Sequence, residues 1–211
     1  MATSLTSSTS GVVALVASLV SLYMLPMSTS KLFLIAHQGS GSACCSLFGG
    51  FVAWEMGSAP DGLDSIAIEI APHEHWPDIH MLIYVISDDK KGTSSTLGIQ
   101  CTIKTSLLLQ HHIMHVIPTH MAAIKEAISQ RDFPSFVCIT MQDLNQFHTD
   151  ALDTNPPIFY LNDVLYTFII VITEYNHAMS TIKATYTFDA GLNSIIYPPK
   201  ENIKETVEHL L

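Results

Sequence analysis

Apolar positions along this chain change period several times, and each change marks an element. Val12 to Val20 is almost wholly apolar and stops short of Pro26, which predicts a buried helix over Gly11–Pro26. Ser and Thr residues just before it would cap its start and leave N–H groups pointing toward whatever the preceding loop holds. Phe51–Met56 and Ser65–Ala71 read as strands separated by the turn-like Gly57–Asp61. Met81–Ser87 is a continuous apolar run of buried-strand length, followed by Lys90, Lys91 and a polar turn over Gly92–Thr96.

After Pro118, Met121, Ile124, Ala127 and Ile128 fall at helical spacing within Thr119–Gln130, and Lys125 and Glu126 turn outward. Asn162–Tyr175 predicts a second, more hydrophobic helix, with Asp163 near its start. Thr181–Thr187 and Ser194–Tyr197 read as strands, and Glu201–Leu211 as a closing amphipathic helix. Strands and helices alternate irregularly, so the expected class is α+β rather than a doubly wound sheet.

Composition narrows the function classes. The chain has 211 residues, 48% apolar and 13% charged, enough for one large domain or two small ones with a real core. A net charge of −10 argues against nucleic acid and anionic membranes as partners. Residues 1–30 hold no Lys or Arg, so a signal peptide is not expected, and the first apolar run is too short to span a bilayer. Cys44, Cys45, Cys101 and Cys138 form no CxxC pair, and a reducing cytosolic (cytoplasmic) setting fits them best. Arg131 is the single arginine beside eight lysines and eleven histidines.

Three constellations could carry chemistry. Gln38–Gly50 is rich in Gly and Ser: either a Ser/Gly turn leading into a strand, or a nest of backbone N–H groups and hydroxyls for an anion. No Lys or Arg lies between Lys31 and Lys90 to support the second. His111, His112 and His115, with His73, His75 and His80, invite a metal. No carboxylate or Cys completes either set, so exposed histidines and no metal site are expected. Asp189 ends a strand and precedes Ala190-Gly191, which suits either a catalytic carboxylate or a turn-initiating one. The polar clusters Asp143–His148 and Asp153–Pro157 are accounted for by capping and turn chemistry.

Several stretches, in order along nearly the whole chain, resemble diphosphomevalonate decarboxylases of the GHMP kinase superfamily. They include GSGSAC.SLFGGFVAWEMG from Gly39, HWPDI from His75, MQD.NQFH from Met141, LDTNPPIFYLND from Leu152 and YTFDAG.N from Tyr186. The resemblance implies a remnant of the ribosomal-S5-like N-terminal domain over residues 1–70, then a ferredoxin-like α/β sandwich over 71–211. It implies ATP, Mg²⁺, conversion of mevalonate 5-diphosphate to isopentenyl diphosphate, and a homodimer. Carried over by position, Asp189 is the catalytic carboxylate, Ser40, Gly41, Ser42, Ala43 and Cys44 form the substrate loop, and Ser7 and Ser8 belong to the ATP phosphate loop.

Departures from the family pattern fall at functional places. Cys45 stands for an arginine that binds the anionic substrate, Leu144 for a serine at the substrate site, Ser4 for a phosphate-loop glycine and Leu192 for a proline. Each can arise by one C-to-T change on one strand or the other, and the match begins inside the phosphate loop. The expectation is a shortened, degenerate copy. Its alternative function is that of an impaired or inactive paralogue, acting only as a partner of an intact homologue.

Overall fold

The computed structural model describes residues 7–86, 93–191 and 193–210. Contacts divide the chain into two units, Met1–Trp76 and Pro77–Leu211, each with its own core. The class is α+β, as the irregular alternation of elements implies. No helix among the described residues is long and apolar enough to cross a membrane.

In the first unit, α1 (Ser7–Leu22) sets Val13 against Phe33 and Ala36 of α2 (Thr29–Gly39), with Ala43, Cys44 and Ala67 completing the core. The helix is present, but its expected burial is corrected. Leu15, Leu19 and Leu22 are exposed, because the run is apolar all round while only one stripe finds a partner. Met24 at φ 50° ends it ahead of Pro26. The second helix, which the sequence pattern did not announce, starts at Ser28, whose hydroxyl accepts from the Lys31 N–H. Gly39 lets the two helices close up, since a Cβ there would lie 2.9 Å from Val12 Cγ1.

A short turn leads to α3 (Cys44–Leu47) and then to an antiparallel hairpin of β1 (Phe51–Trp54) and β2 (Ala67–Ala71). Gly50 is required by that pairing, because a side chain would collide with the Ala71 carbonyl. The loop between the strands is folded by Asp64, which accepts from the Ser58 and Ala59 N–H groups. Those bonds hold its carboxyl below the usual range.

The second unit is built on a three-stranded antiparallel sheet. Its first strand, β3 (Leu82–Tyr84), lies at one edge and pairs with the central β5 (Ser194–Tyr197), whose other neighbour is the edge strand β4 (Thr185–Thr187). The expected buried strand over Met81–Ser87 is therefore shorter and half-exposed, and Ser87 lies outside the described residues.

Next come α4 (Ser95–Thr105), α5 (Leu107–His111), a π-helical turn over His112–Val116, α6 (Ile117–Gln130) and α7 (Phe133–Leu152). The expected start of α6 near Thr119 is close, with Pro118 tolerated in its first turn. The 20-residue α7 was hidden by its polar text: Asp143–His148 is mid-helix rather than turn. Asp132 caps it by accepting from the Ser135 N–H.

Asn162 likewise caps α8 (Asp163–Ala178). The chain closes with β4 (Thr185–Thr187), β5 (Ser194–Tyr197) and α9 (Ile203–Leu210). Leu144 of α7 and Leu165, Phe168 and Ile172 of α8 pack on Tyr186, Phe188 and Ile196 of the sheet region.

Buried polar groups in this unit are tied across elements. Ser106 caps α5 by accepting from the Leu109 N–H and donates to Asp153. Thr154 donates to Thr102, and the Asn155 N–H to Thr105. His112, expected to be exposed, is buried, with Nδ1 2.7 Å from the buried Asp150 carboxylate. The partner lies 38 residues on, out of reach of local spacing rules.

Candidate functional site

Two places hold the residues singled out from sequence, one in each unit. In the first unit, α2 delivers the chain into Ser40, and the backbone turns at once into α3. The Ala43 N–H donates to the Ser40 carbonyl, Cys45 N–H to Ser42, and Ser46 N–H to Ala43. These amides close helical turns, so they do not form the anion nest; the Ser/Gly turn describes this backbone better.

The hydroxyls do converge. Thr9, fully buried in the first turns of α1, places Oγ1 2.9 Å from Ser40 Oγ and 3.0 Å from Ser42 Oγ. Thr9 was missed from sequence; a threonine one residue past the matched phosphate-loop serines was its only signal. Ser7 opens α1 and Ser8 follows it, though only their backbone is described. Met1, Ser4, Lys90, Lys91 and Leu192 lie outside the described residues.

Along Ser40–Cys44, Gly41 and Ser42 are exposed, Ser40 is half-buried, and Ala43 and Cys44 belong to the core. Cys45 is exposed beside its buried neighbour. The neighbouring Cys44 thiol lowers the Cys45 thiol to about 6, while Cys45 and burial push Cys44 upward.

In the second unit, Asp189 follows the buried Phe188 at the end of β4, itself exposed while Ala190 turns inward. The Gly191 N–H donates to Asp189 Oδ1 at 2.6 Å, which fixes the carboxylate's orientation. Asn193, just beyond, is buried and accepts from the Ile86 N–H, anchoring the turn to the chain beyond β3.

α7 brings His148 to this turn, a residue the sequence reading left to capping chemistry. Burial lowers its pKa to about 4, partly offset by the Phe188 carbonyl and the charge on Asp189. It is therefore a neutral imidazole at pH 7 beside the Asp189 carboxylate. Asn145, one turn earlier, donates to the Tyr186 hydroxyl, which lies on β4. Leu144 points into the apolar core and has no polar group to offer a ligand.

Among the described residues no three His, Cys, Asp or Glu side chains are grouped to hold an ion. The His111 and His115 rings lie against each other at a tilt, with ring centres 4.7 Å apart.

Comparison with known proteins places this arrangement. Residues 81–211 match the family model of the mevalonate 5-diphosphate decarboxylase C-terminal domain, and residues 1–67 match the diphosphomevalonate decarboxylase-like N-terminal domain. A diphosphomevalonate decarboxylase from Ganoderma lucidum is 64% identical over 98% of this chain and 53% of its own length. The chain spans about half the length of the curated relatives it matches.

Among solved structures, mevalonate diphosphate decarboxylase from Trypanosoma brucei superposes with a TM-score of 0.92 at 35% identity, over 99% of this chain and 55% of that one. A third, described as in complex with MVAPP, AMPPCP and magnesium, gives 0.89 at 30% identity over 100% of this chain and 63% of that one. Across both its units, this chain belongs to the diphosphomevalonate decarboxylase family.

Proposed function

We propose that this chain acts in the ATP- and Mg²⁺-dependent decarboxylation of mevalonate 5-diphosphate to isopentenyl diphosphate, with Asp189 as its catalytic carboxylate. The observation that carries the reading is the Asp189 turn: an exposed carboxylate held by the Gly191 N–H at the end of a strand seated in a packed core. A carboxylate so fixed accepts a hydrogen bond from the tertiary hydroxyl of the substrate and orients it without reorganising. Neutral His148 behind it leaves the negative charge of Asp189 uncompensated by a paired imidazolium, which keeps the carboxylate a good acceptor.

Ser40, Gly41, Ser42, Ala43 and Cys44 are the proposed substrate loop, with Thr9 holding the two serine hydroxyls in register. Ser7 and Ser8, at the start of the 16-residue α1, are proposed to receive ATP phosphates through helix N-terminal N–H groups. These neutral donors fit phosphate, and in the first unit Lys31 alone adds a cation among the described residues. Mg²⁺ commonly binds through phosphates and few protein ligands, which is compatible with the lack of a three-ligand cluster among the described residues. When bound, ATP supplies the phosphoryl group and Mg²⁺ offsets its charge. The expected homodimer and cytosolic setting belong to the same reading.

Cys45 offers no cation where the resemblance places arginine. Losing a bidentate Arg contact lowers a rate by about 10²-fold, so Cys45→Arg is expected to raise kcat/KM by about that factor. The reading is tested by incubating the purified chain with ATP, Mg²⁺ and mevalonate 5-diphosphate and detecting isopentenyl diphosphate by mass spectrometry. Product that requires all three components supports it; no product from either the native chain or Cys45→Arg overturns it.

A further inference from the structure

One cluster of ionisable side chains lies outside both the Ser40 turn and the Asp189 turn, where the π-helical turn His112–Val116 meets α7. His112 opens that turn, and its side chain is nine-tenths buried. Its Nδ1 lies 2.7 Å from Asp150 Oδ2, and because a carboxylate oxygen accepts, the ring donates there. Nε2 is buried without a hydrogen-bond partner among the described residues and stands 3.7 Å from Asp143 Oδ1. His120 of α6 reaches the same oxygen at 3.3 Å. We propose that His112 is a positioning residue for the Asp189 turn: by holding Asp150 and Asp143 it fixes the rotation of α7. This rests on the catalytic reading of Asp189, and its spectroscopic test needs no turnover.

Helix geometry gives this grip its reach. At about 100° per residue, Asp143 and Asp150 fall on one face of α7, and Asn145 and His148 fall on the face about 180° away. The first pair meets the corner between α5 and α6. The second meets the Asp189 turn. Asn145 donates to the Tyr186 hydroxyl on β4, the strand that leads to Asp189. Phe147 and Ala151 pack in one cluster with Tyr160 and with Ala190, the residue after Asp189, and His148 stands edge-on to Tyr160. Asp150 and His148 are both buried, so α7 is held on one side where it serves the turn on the other. The π-helical turn that delivers His112 is itself a feature frequent at functional sites.

Apolar packing does not by itself set this rotation. Met141 and Leu144 meet the sheet region through contacts that have no preferred direction, whereas a hydrogen bond to a buried ring constrains both distance and angle. A turn of α7 by about 20° moves side-chain tips on its roughly 5–6 Å radius by about 2 Å. Misplacing a reacting group by about 1 Å costs on the order of 10²-fold in rate. Buried polar pairs add little stability over apolar groups of similar volume, so replacing both partners separates positioning from folding.

The test compares the native chain with His112→Leu/Asp150→Leu, which removes both polar partners, and with His112→Asn, whose amide nitrogen takes the place of Nδ1. Circular dichroism reports whether each is folded. Heteronuclear NMR of isotope-labelled protein follows the imidazole of His148 against pH, assigned by its loss in His148→Gln. In the native chain the midpoint is expected at about 4. In the folded leucine pair it is expected to rise above about 5, toward the roughly 6.5 of an unburied histidine. His112→Asn is expected to keep the native midpoint. Where product forms, kcat is expected to fall about 10- to 100-fold in the leucine pair. KM for ATP, whose proposed phosphate site lies in the first unit, should move by less than about twofold.

A native His148 midpoint in the folded leucine pair overturns the proposal, since a merely structural pair leaves that titration alone. So does a raised midpoint in folded His112→Asn, or an unchanged kcat in a leucine pair that turns over substrate. His112→Ala/Asp150→Ala decides the matter if the leucines do not fit. Failure of both pairs to fold marks His112–Asp150 as a folding element and overturns the assignment as well. A native chain that forms no product overturns the catalytic reading alone, and the His148 titration still decides whether His112 positions the turn.

Discussion

The two units bury different materials. In the second, large side chains meet: Leu165, Ile172, Tyr186 and Ile196 are fully enclosed, and polar groups are bound across elements by His112–Asp150, Ser106–Asp153 and Thr154–Thr102. In the first, alanines dominate the interior. Ala36, Ala43, Ala53, Ala67 and Ala71 are buried around Phe33 and Val13, while Leu15, Leu19, Leu22, Tyr23, Met24 and Leu25 stay outside. Apolar area removed from water sets most of the folding free energy, so the first unit is the weaker of the two. The proposed catalytic carboxylate thus rests on the stronger unit, and the proposed substrate loop on the one that opens first.

Trp54 and Trp76 both lie in the first unit, which makes the comparison measurable. Tryptophan fluorescence reports that unit alone, whereas far-UV circular dichroism sees both. In urea, the fluorescence transition is expected to precede the main circular dichroism transition; coincident midpoints would break the comparison.

The largest single effect is expected at Asp150. Asp150→Ala leaves Nδ1 of the buried His112 without its partner, and breaking a buried pair costs about 3–5 kcal/mol. The circular dichroism transition shifts by that amount, and tryptophan fluorescence moves little.

Acid acts on the same unit through His148. Its folded pKa, about 4, lies below the roughly 6.5 of an unfolded histidine. The unfolded state therefore binds more protons between these values, and stability falls as pH drops from about 6.5 to 4. The full loss is at most about 3 kcal/mol, and His148→Gln is expected to flatten that part of the pH profile.

Thr9→Val comes next. It removes the buried hydroxyl shared by the half-buried Ser40 and the exposed Ser42 and costs about 1 kcal/mol, read in tryptophan fluorescence. Leu19→Glu, on the open face of α1, is expected to change stability by no more than about 0.5 kcal/mol. A loss above about 2 kcal/mol would show that this face is covered in solution.

Periodicity made the outlines of both units legible. Asn162 and Ser194–Tyr197 were placed to the residue because a capping side chain and a short alternating strand carry local signals. α7 was not, because Gln142, Asp143, Asn145 and Gln146 read as loop chemistry while Phe136, Val137, Leu144 and Ala151 supply the buried stripe. α2 escaped for a related reason: only Phe33 and Ala36 of its residues are buried, too few to show a period.

At the candidate site, the Asp189 turn was visible because strand, carboxylate and glycine are contiguous. His148 and Thr9 were not, since each meets its partners across more than thirty residues of chain. The burial of Leu144 was likewise beyond local text; it follows from α7 packing on the sheet.

The central claim is that the carboxylate of Asp189 acts on the substrate hydroxyl. Its most direct measurement is the initial rate of ADP release from ATP and Mg²⁺, with and without mevalonate 5-diphosphate, for the native chain and a folded Asp189→Asn variant. Substrate-dependent release that falls by at least about 10²-fold in Asp189→Asn is the predicted result. Equal substrate-dependent rates in the two proteins would contradict it.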